Sequence, residues 1–173
     1  VDVTSASGNV MGFTVSREGA EGWPVAIGRA PGSGLTLWNA PGLGEVIAVV
    51  RAGGGMELYS PSGESLGGFG TFLSTPPVVA VLEGVEHLMT GDRNGYVHML
   101  TPEWGTEAPG WPVKTSSEPS QVLFSGDLGL AAAVSGAEVC LWSPVGEPLQ
   151  GWPLRFDYPV IGICVVPDPD LPG

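Results

Sequence analysis

Short apolar runs alternate with polar positions along the whole chain, and Gly, Pro, Ser or Asn closes each run. A period of two predicts strands. They are expected at 35–39, 45–51, 56–60 and 66–73, then at 78–82, 86–90, 96–100 and 111–114, and again at 121–125, 130–134, 138–142 and 152–155. Asn94-Gly95 is the strongest hairpin signal, since both residues tolerate positive φ and apolar runs flank them. No stretch carries a helical period with caps at both ends.

The pattern repeats. A Gly-Trp-Pro step followed by an aliphatic residue stands at Gly22-Trp23-Pro24-Val25, Gly110-Trp111-Pro112-Val113 and Gly151-Trp152-Pro153-Leu154, with a degenerate copy at Gly68-Phe69-Gly70. The successive spacings are 46, 42 and 41 residues. A second landmark keeps the same beat: an alternating run closed by a small hydroxyl residue and proline, at Met56 to Pro61, Val97 to Pro102 and Val139 to Pro144, and more loosely at Val10 to Ser16. Four strands per period of this length is the arithmetic of a β-propeller blade.

The ends complete the count. An apolar strand is expected at 159–166, and the N-terminus supplies 2–5, 10–15 and 23–27 before a new repeat starts. The 22 residues after Gly151 and the 22 up to Gly22 together match one period. The expectation is one all-β domain over 1–173, a four-bladed propeller of about 43-residue four-stranded blades. Its last blade is formed by 156–173 plus 1–28, with 159–166 pairing beside Val3. A slice of a larger propeller, or half of an eight-bladed dimer, is the alternative. The chain begins at Val1 with no basic and apolar leader pattern, which points to processing or to a longer polypeptide.

Composition narrows the classes of function. Gly and Pro number 28 and 17 of 173 residues, yet 43 % of the chain is hydrophobic, so they punctuate strands rather than mark low complexity. Eighteen acids face six bases, a formal net charge of −12 without a basic cluster, which argues against nucleic acid and anionic membrane surfaces. The longest apolar run, 160–166, is far short of the roughly 18 residues of a helical membrane span. Cys140 and Cys164 lack metal or redox spacing, and each lies in an apolar run, so both are expected as buried free thiols.

At Ser62-Gly63-Glu64-Ser65-Leu66, at Gly126-Asp127 before 130–134, and at Gly146 to Leu154, the sequence resembles the FG-GAP/VCBS-type propeller repeats with their GWP-ending blades. The resemblance implies a propeller scaffold and an extracytoplasmic location, whether secreted, periplasmic or on the cell surface. Members of that family often bind calcium through an aspartate-rich loop in each blade. Here only Asp127 keeps an acid at that place, and 41–44 and 83–86 lack the carboxylate triplet, so no metal or other cofactor is expected.

Candidate chemistry is sparse. His87 and His98 have no ligand or base partner at a recognisable spacing and read as strand histidines bonded to backbone or facing solvent. No GxSxG elbow is present, and Gly53-Gly54-Gly55 lacks the lysine and helix of a phosphate loop. Trp23, Trp111 and Trp152 recur at one blade position and are expected to pack between blades, as are Trp38 and Trp142 in their strands. Trp104 stands in a loop and is the candidate binding residue, offering a ring to a protein or a sugar face. The alternating Pro and acid of 167–173 reads as a stiff solvated exit segment.

The expected function is therefore a non-catalytic interaction or structural module, a subunit or domain of a larger extracytoplasmic assembly. The alternative is a lectin-like propeller that holds glycan on loop aromatics. A quinoprotein-type enzyme is disfavoured, since a four-bladed ring leaves a narrow channel and few cations to hold an anionic cofactor.

Overall fold

The structure, a computed structural model, describes residues 2–4, 9–12, 21–26, 31–70, 72–101 and 106–166. Three four-stranded antiparallel meanders follow one another. The first holds β4 (Pro31–Ala40), β5 (Gly44–Arg51), β6 (Met56–Tyr59) and β7 (Ser65–Phe69). The second holds β8 (Val78–Leu82), β9 (Val85–Gly91), β10 (Tyr96–Leu100) and β11 (Val113–Lys114). The third holds β12 (Gln121–Ser125), β13 (Leu130–Ser135), β14 (Glu138–Trp142) and β15 (Leu154–Arg155). Ahead of them β1 (Asp2–Thr4), β2 (Asn9–Gly12) and β3 (Val25–Ala26) form a three-stranded sheet. No helix occurs among the described residues.

The sheets stack on one another, and the second strand of each meander is consequently buried on both faces. Val46 to Val50 in β5 and Ala131 to Val134 in β13 are all at most 2 % exposed, and both read as continuous apolar runs rather than alternating ones. One core cluster lies between the first two meanders and is built on Trp38, Met56, Leu58 and Leu88. Another lies between the second and third, on Met89, Met99, Trp111, Ala133 and Trp142. Ile47, Val49 and Tyr59 pack on Trp23 and Val25 of the leading sheet.

The outermost strands are shorter than the sequence pattern suggests. Pro112 and Pro153 have no N–H for a ladder, and the Trp111 and Trp152 N–H groups close turns onto the Ala108 and Leu149 carbonyls at 3.0 and 3.1 Å. Only the two residues after each proline pair as strand. Likewise β7 stops at Phe69 instead of running to 73, and Leu73 forms an isolated bridge with Asp92 of the next meander.

The expected closing strand differs most. Residues 159–166 form no strand and do not pair with β1. Instead the Val160 N–H donates to the Gly136 carbonyl at 2.9 Å, and the Ile163 N–H and carbonyl bond the Gln121 side chain at 3.0 and 3.2 Å. The segment lies against the third meander, and the sheets form an arc whose described ends are not joined. Cys140 is buried as expected, and burial, with the charge of Glu138 behind it, pushes its thiol up to about 11. Cys164 is exposed, because the sheet that would cover it does not form on that side.

Candidate functional site

A cleft of about 1070 Å³ lies where the β8–β9 turn meets the loops of both neighbouring meanders. The turn is a two-residue hairpin, Leu82 pairing with Val85 around Glu83 and Gly84, whose φ values of 52° and 80° suit the right-handed twist of the flanking strands. This geometry brings Val81 and Val85 out into the cleft, 48 % and 41 % exposed. Opposite stands Val145, 57 % exposed, in the Ser143-Pro144-Val145-Gly146 turn. Pro41, Phe124 and Pro144 extend the apolar wall, while Glu83 and Glu107 supply carboxylates and His87 a ring bonded to the Val85 carbonyl at 3.0 Å.

Glu107 has a second duty behind the wall. One of its oxygens meets His98 Nδ1 at 2.6 Å and the other accepts from the Met99 N–H at 3.3 Å. On the far side of the ring, Nε2 stands 3.3 Å from Oδ2 of Asp92, which is 5 % exposed. The other oxygen of Asp92 accepts the Asn94 and Tyr96 N–H groups at 2.9 and 2.8 Å and so shapes the Asn94-Gly95 hairpin. Burial alone would lower the His98 pKa. The Glu107 hydrogen bond and charge, with Asp92 behind them, outweigh burial and hold it above its ordinary value. Through Nδ1 the imidazole ties the end of the second meander to the cleft wall, while Nε2 faces Asp92 at ion-pair distance without a hydrogen bond.

Trp104 lies outside the described residues, as do the 167–173 tail and the rest of its own loop, 102–105. The chain enters and leaves that loop at Thr101 and Thr106, which are joined by an N–H to carbonyl bond of 2.8 Å and both line the cleft. Four of the remaining tryptophans are structural fixtures, and Trp152 is half-buried. Trp38 and Trp142 are buried, and the Trp23 and Trp111 indoles donate to the Pro61 and Pro144 carbonyls of the following meander at 2.9 and 3.0 Å. Among the described residues no three His, Cys, Asp or Glu side chains converge as a metal site.

The sequence pattern did not disclose the cleft. Its one visible sign is Val145, an apolar residue at a turn position where the equivalent turn Ser60-Pro61-Ser62-Gly63 carries serine. The His98 pairing was hidden for a different reason, as Glu107 and Asp92 reach it from opposite sides of a hairpin.

No family model matches the chain, and no curated protein matches it. Solved structures do. BBS1N, crystallised in complex with ARL6DN, overlays with a TM-score of 0.70 at 14 % identity, over 93 % of this chain and 50 % of that one. The computationally designed Ika8 protein overlays with a TM-score of 0.64 at 14 % identity, over 86 % of this chain and 44 % of that one. The chain therefore spans about half the length of the structures it matches. Its class is an all-β repeat protein with a propeller-like neighbour. No helix among the described residues is long and apolar enough to cross a membrane.

Proposed function

We propose that this chain is a non-catalytic interaction module, a propeller of the FG-GAP/VCBS kind, that seats a segment of a protein partner in the cleft between its meanders. The exposure of Val81, Val85 and Val145 around one concavity carries the reading. Exposed apolar side chains gathered in a groove mark a contact surface, and Glu83 and Glu107 at its edge favour a segment with basic residues beside apolar ones. The neighbour of similar fold is itself a complex with a protein. The resemblance implies an extracytoplasmic setting, and membership of a larger assembly rests on the sparse charge, 14 % of residues, which leaves apolar surface for a partner to cover. The four-bladed ring, with its last blade from 156–173 and 1–28, is one of two closures the scaffold admits; a ring shared between copies is the other.

Selection from a displayed random-peptide library tests the reading. Enriched peptides should combine aliphatic residues with Lys or Arg, and Val85→Asp with Val145→Asp should lower binding at least tenfold while leaving the melting temperature nearly unchanged, since both side chains are exposed. Enrichment that ignores both substitutions would refute it. The glycan reading has one observation of its own, that Thr101 and Thr106 on the cleft wall flank the Trp104 loop. Glycan-array binding lost in Trp104→Ala would favour that reading instead.

A further inference from the structure

The leading sheet has one strand fewer than the meanders, and the repeat says which one. Its β2 carries the third-strand landmark, and β3 follows Gly22-Trp23-Pro24 as β11 and β15 follow their own Gly-Trp-Pro steps. Moreover β1 meets β4 as the second strand β9 meets the first strand β12 at a later interface. The member missing among the described residues is the first strand, and the edge it would cover belongs to β1.

The other end of the chain carries a first strand without a sheet. Pro76 and Pro119 stand two residues ahead of the first strands β8 and β12, and Pro159 stands in the same relation to 161–165. This stretch reads Ile-Gly-Ile-Cys-Val, with Ile161 fully exposed at 101 %. Trp152 is left over in the same way. The Trp23 and Trp111 indoles each find a proline carbonyl in the next meander, and Gly22 and Gly110 press against the Ser62 and Val145 carbonyls there. Gly151 faces open space among the described residues.

We infer that a second copy of this chain occupies both ends, residues 161–165 of each copy pairing antiparallel with β1 of the other, so that two copies close one ring. Each end lacks what the opposite end offers, and a two-fold arrangement satisfies both at once. Within one copy the 159–166 segment rests against the third meander, bonded to Gly136 and to the Gln121 side chain, and among the described residues no strand pairs it with β1. The register follows from the ladders. Val10 pairs with Thr4 and Val25 as Val139 pairs with Val134 and Leu154, so by the third meander Ile161 falls opposite Thr4 as Gln121 falls opposite Val134; by the second, where Val97 pairs with Gly91 and Val113 while Val78 pairs with Met89, it falls opposite Asp2.

The test places cysteines at Thr4 and Ile161 of the 173-residue chain, with Cys164→Ser to remove the exposed native thiol. Native mass spectrometry of the unsubstituted chain should give twice 17.8 kDa. Air oxidation of the Thr4→Cys, Ile161→Cys protein should give a covalent dimer on non-reducing electrophoresis. A monomer with the two new cysteines joined to each other would establish a ring of one copy and overturn the inference. Free thiols together with a monomeric native mass would overturn it too, as would a ladder of higher oligomers, which is an open filament. Circular dichroism that matches the parent confirms that the substituted chain folds; if it does not, the mass of the unsubstituted chain decides alone, a monomer overturning the inference.

Discussion

At the residue scale, two side-chain environments make measurable claims. His98 lies between Glu107 and Asp92, and its pKa is raised above the ordinary 6.5. A proton bound more tightly in the folded state stabilises the fold fully below the unfolded pKa, and this contribution is lost as pH rises through the folded one. His98→Gln should therefore cost more stability at about pH 6 than at about pH 9, by urea denaturation. An equal cost at both values would mean that folding leaves the His98 pKa unchanged. The second environment is Gly110, at φ 85°, where a Cβ would overlap the Val145 carbonyl oxygen. Gly42 has a similar φ of 81° but faces open space. Alanine at Gly42 should cost roughly 1 kcal/mol from backbone conformation alone. Alanine at Gly110 should cost clearly more, and equal losses in thermal melts would show that the adjoining turn yields.

At the element scale, the unit of assembly is a pair: a Gly-Trp-Pro step on one sheet and a Ser-Pro turn on the next. Trp111 donates its indole N–H to Pro144, and Gly146 in turn packs on the Gly110 carbonyl. Trp111→Phe keeps most of the ring and deletes the bond, so a loss of about 1 kcal/mol is expected in denaturant melts. Trp152→Phe has no such bond to lose among the described residues, and a comparable loss in a verified monomer would place an unrecognised acceptor beside it.

The same landmarks explain how much was legible beforehand. Strand order, the three meanders and the interior role of Trp23, Trp38, Trp111 and Trp142 were readable because each depends on local alternation or on a repeated step. The starts of β11 and β15 were not, since proline and the tryptophan turn withdraw backbone groups that the apolar pattern counts as strand, and the end of β7 was not, since Leu73 bridges to Asp92 of the next meander. The cleft was not readable either. It arises where Val81, Val85 and Val145 from different periods converge, and no spacing within one period encodes that meeting.

For the whole molecule, the main contacts between sheets among the described residues run from each sheet to its neighbours, through the inner strands and through the Trp to proline carbonyl bonds. Nothing in a single sheet specifies how many others stand in the row. Duplication of one period of 41 to 46 residues would insert a sheet that finds the same partners on both faces, and deletion would bring two compatible faces together. The number of sheets in a closed circuit is then set by the angle between neighbours, a property shared by every interface. The bond from Trp111 to Pro144 recurs from Trp23 to Pro61, while between the first and second meanders Phe69 takes the tryptophan's place and Trp38 donates to the Glu86 carbonyl instead, so the angle there can change independently of the other two.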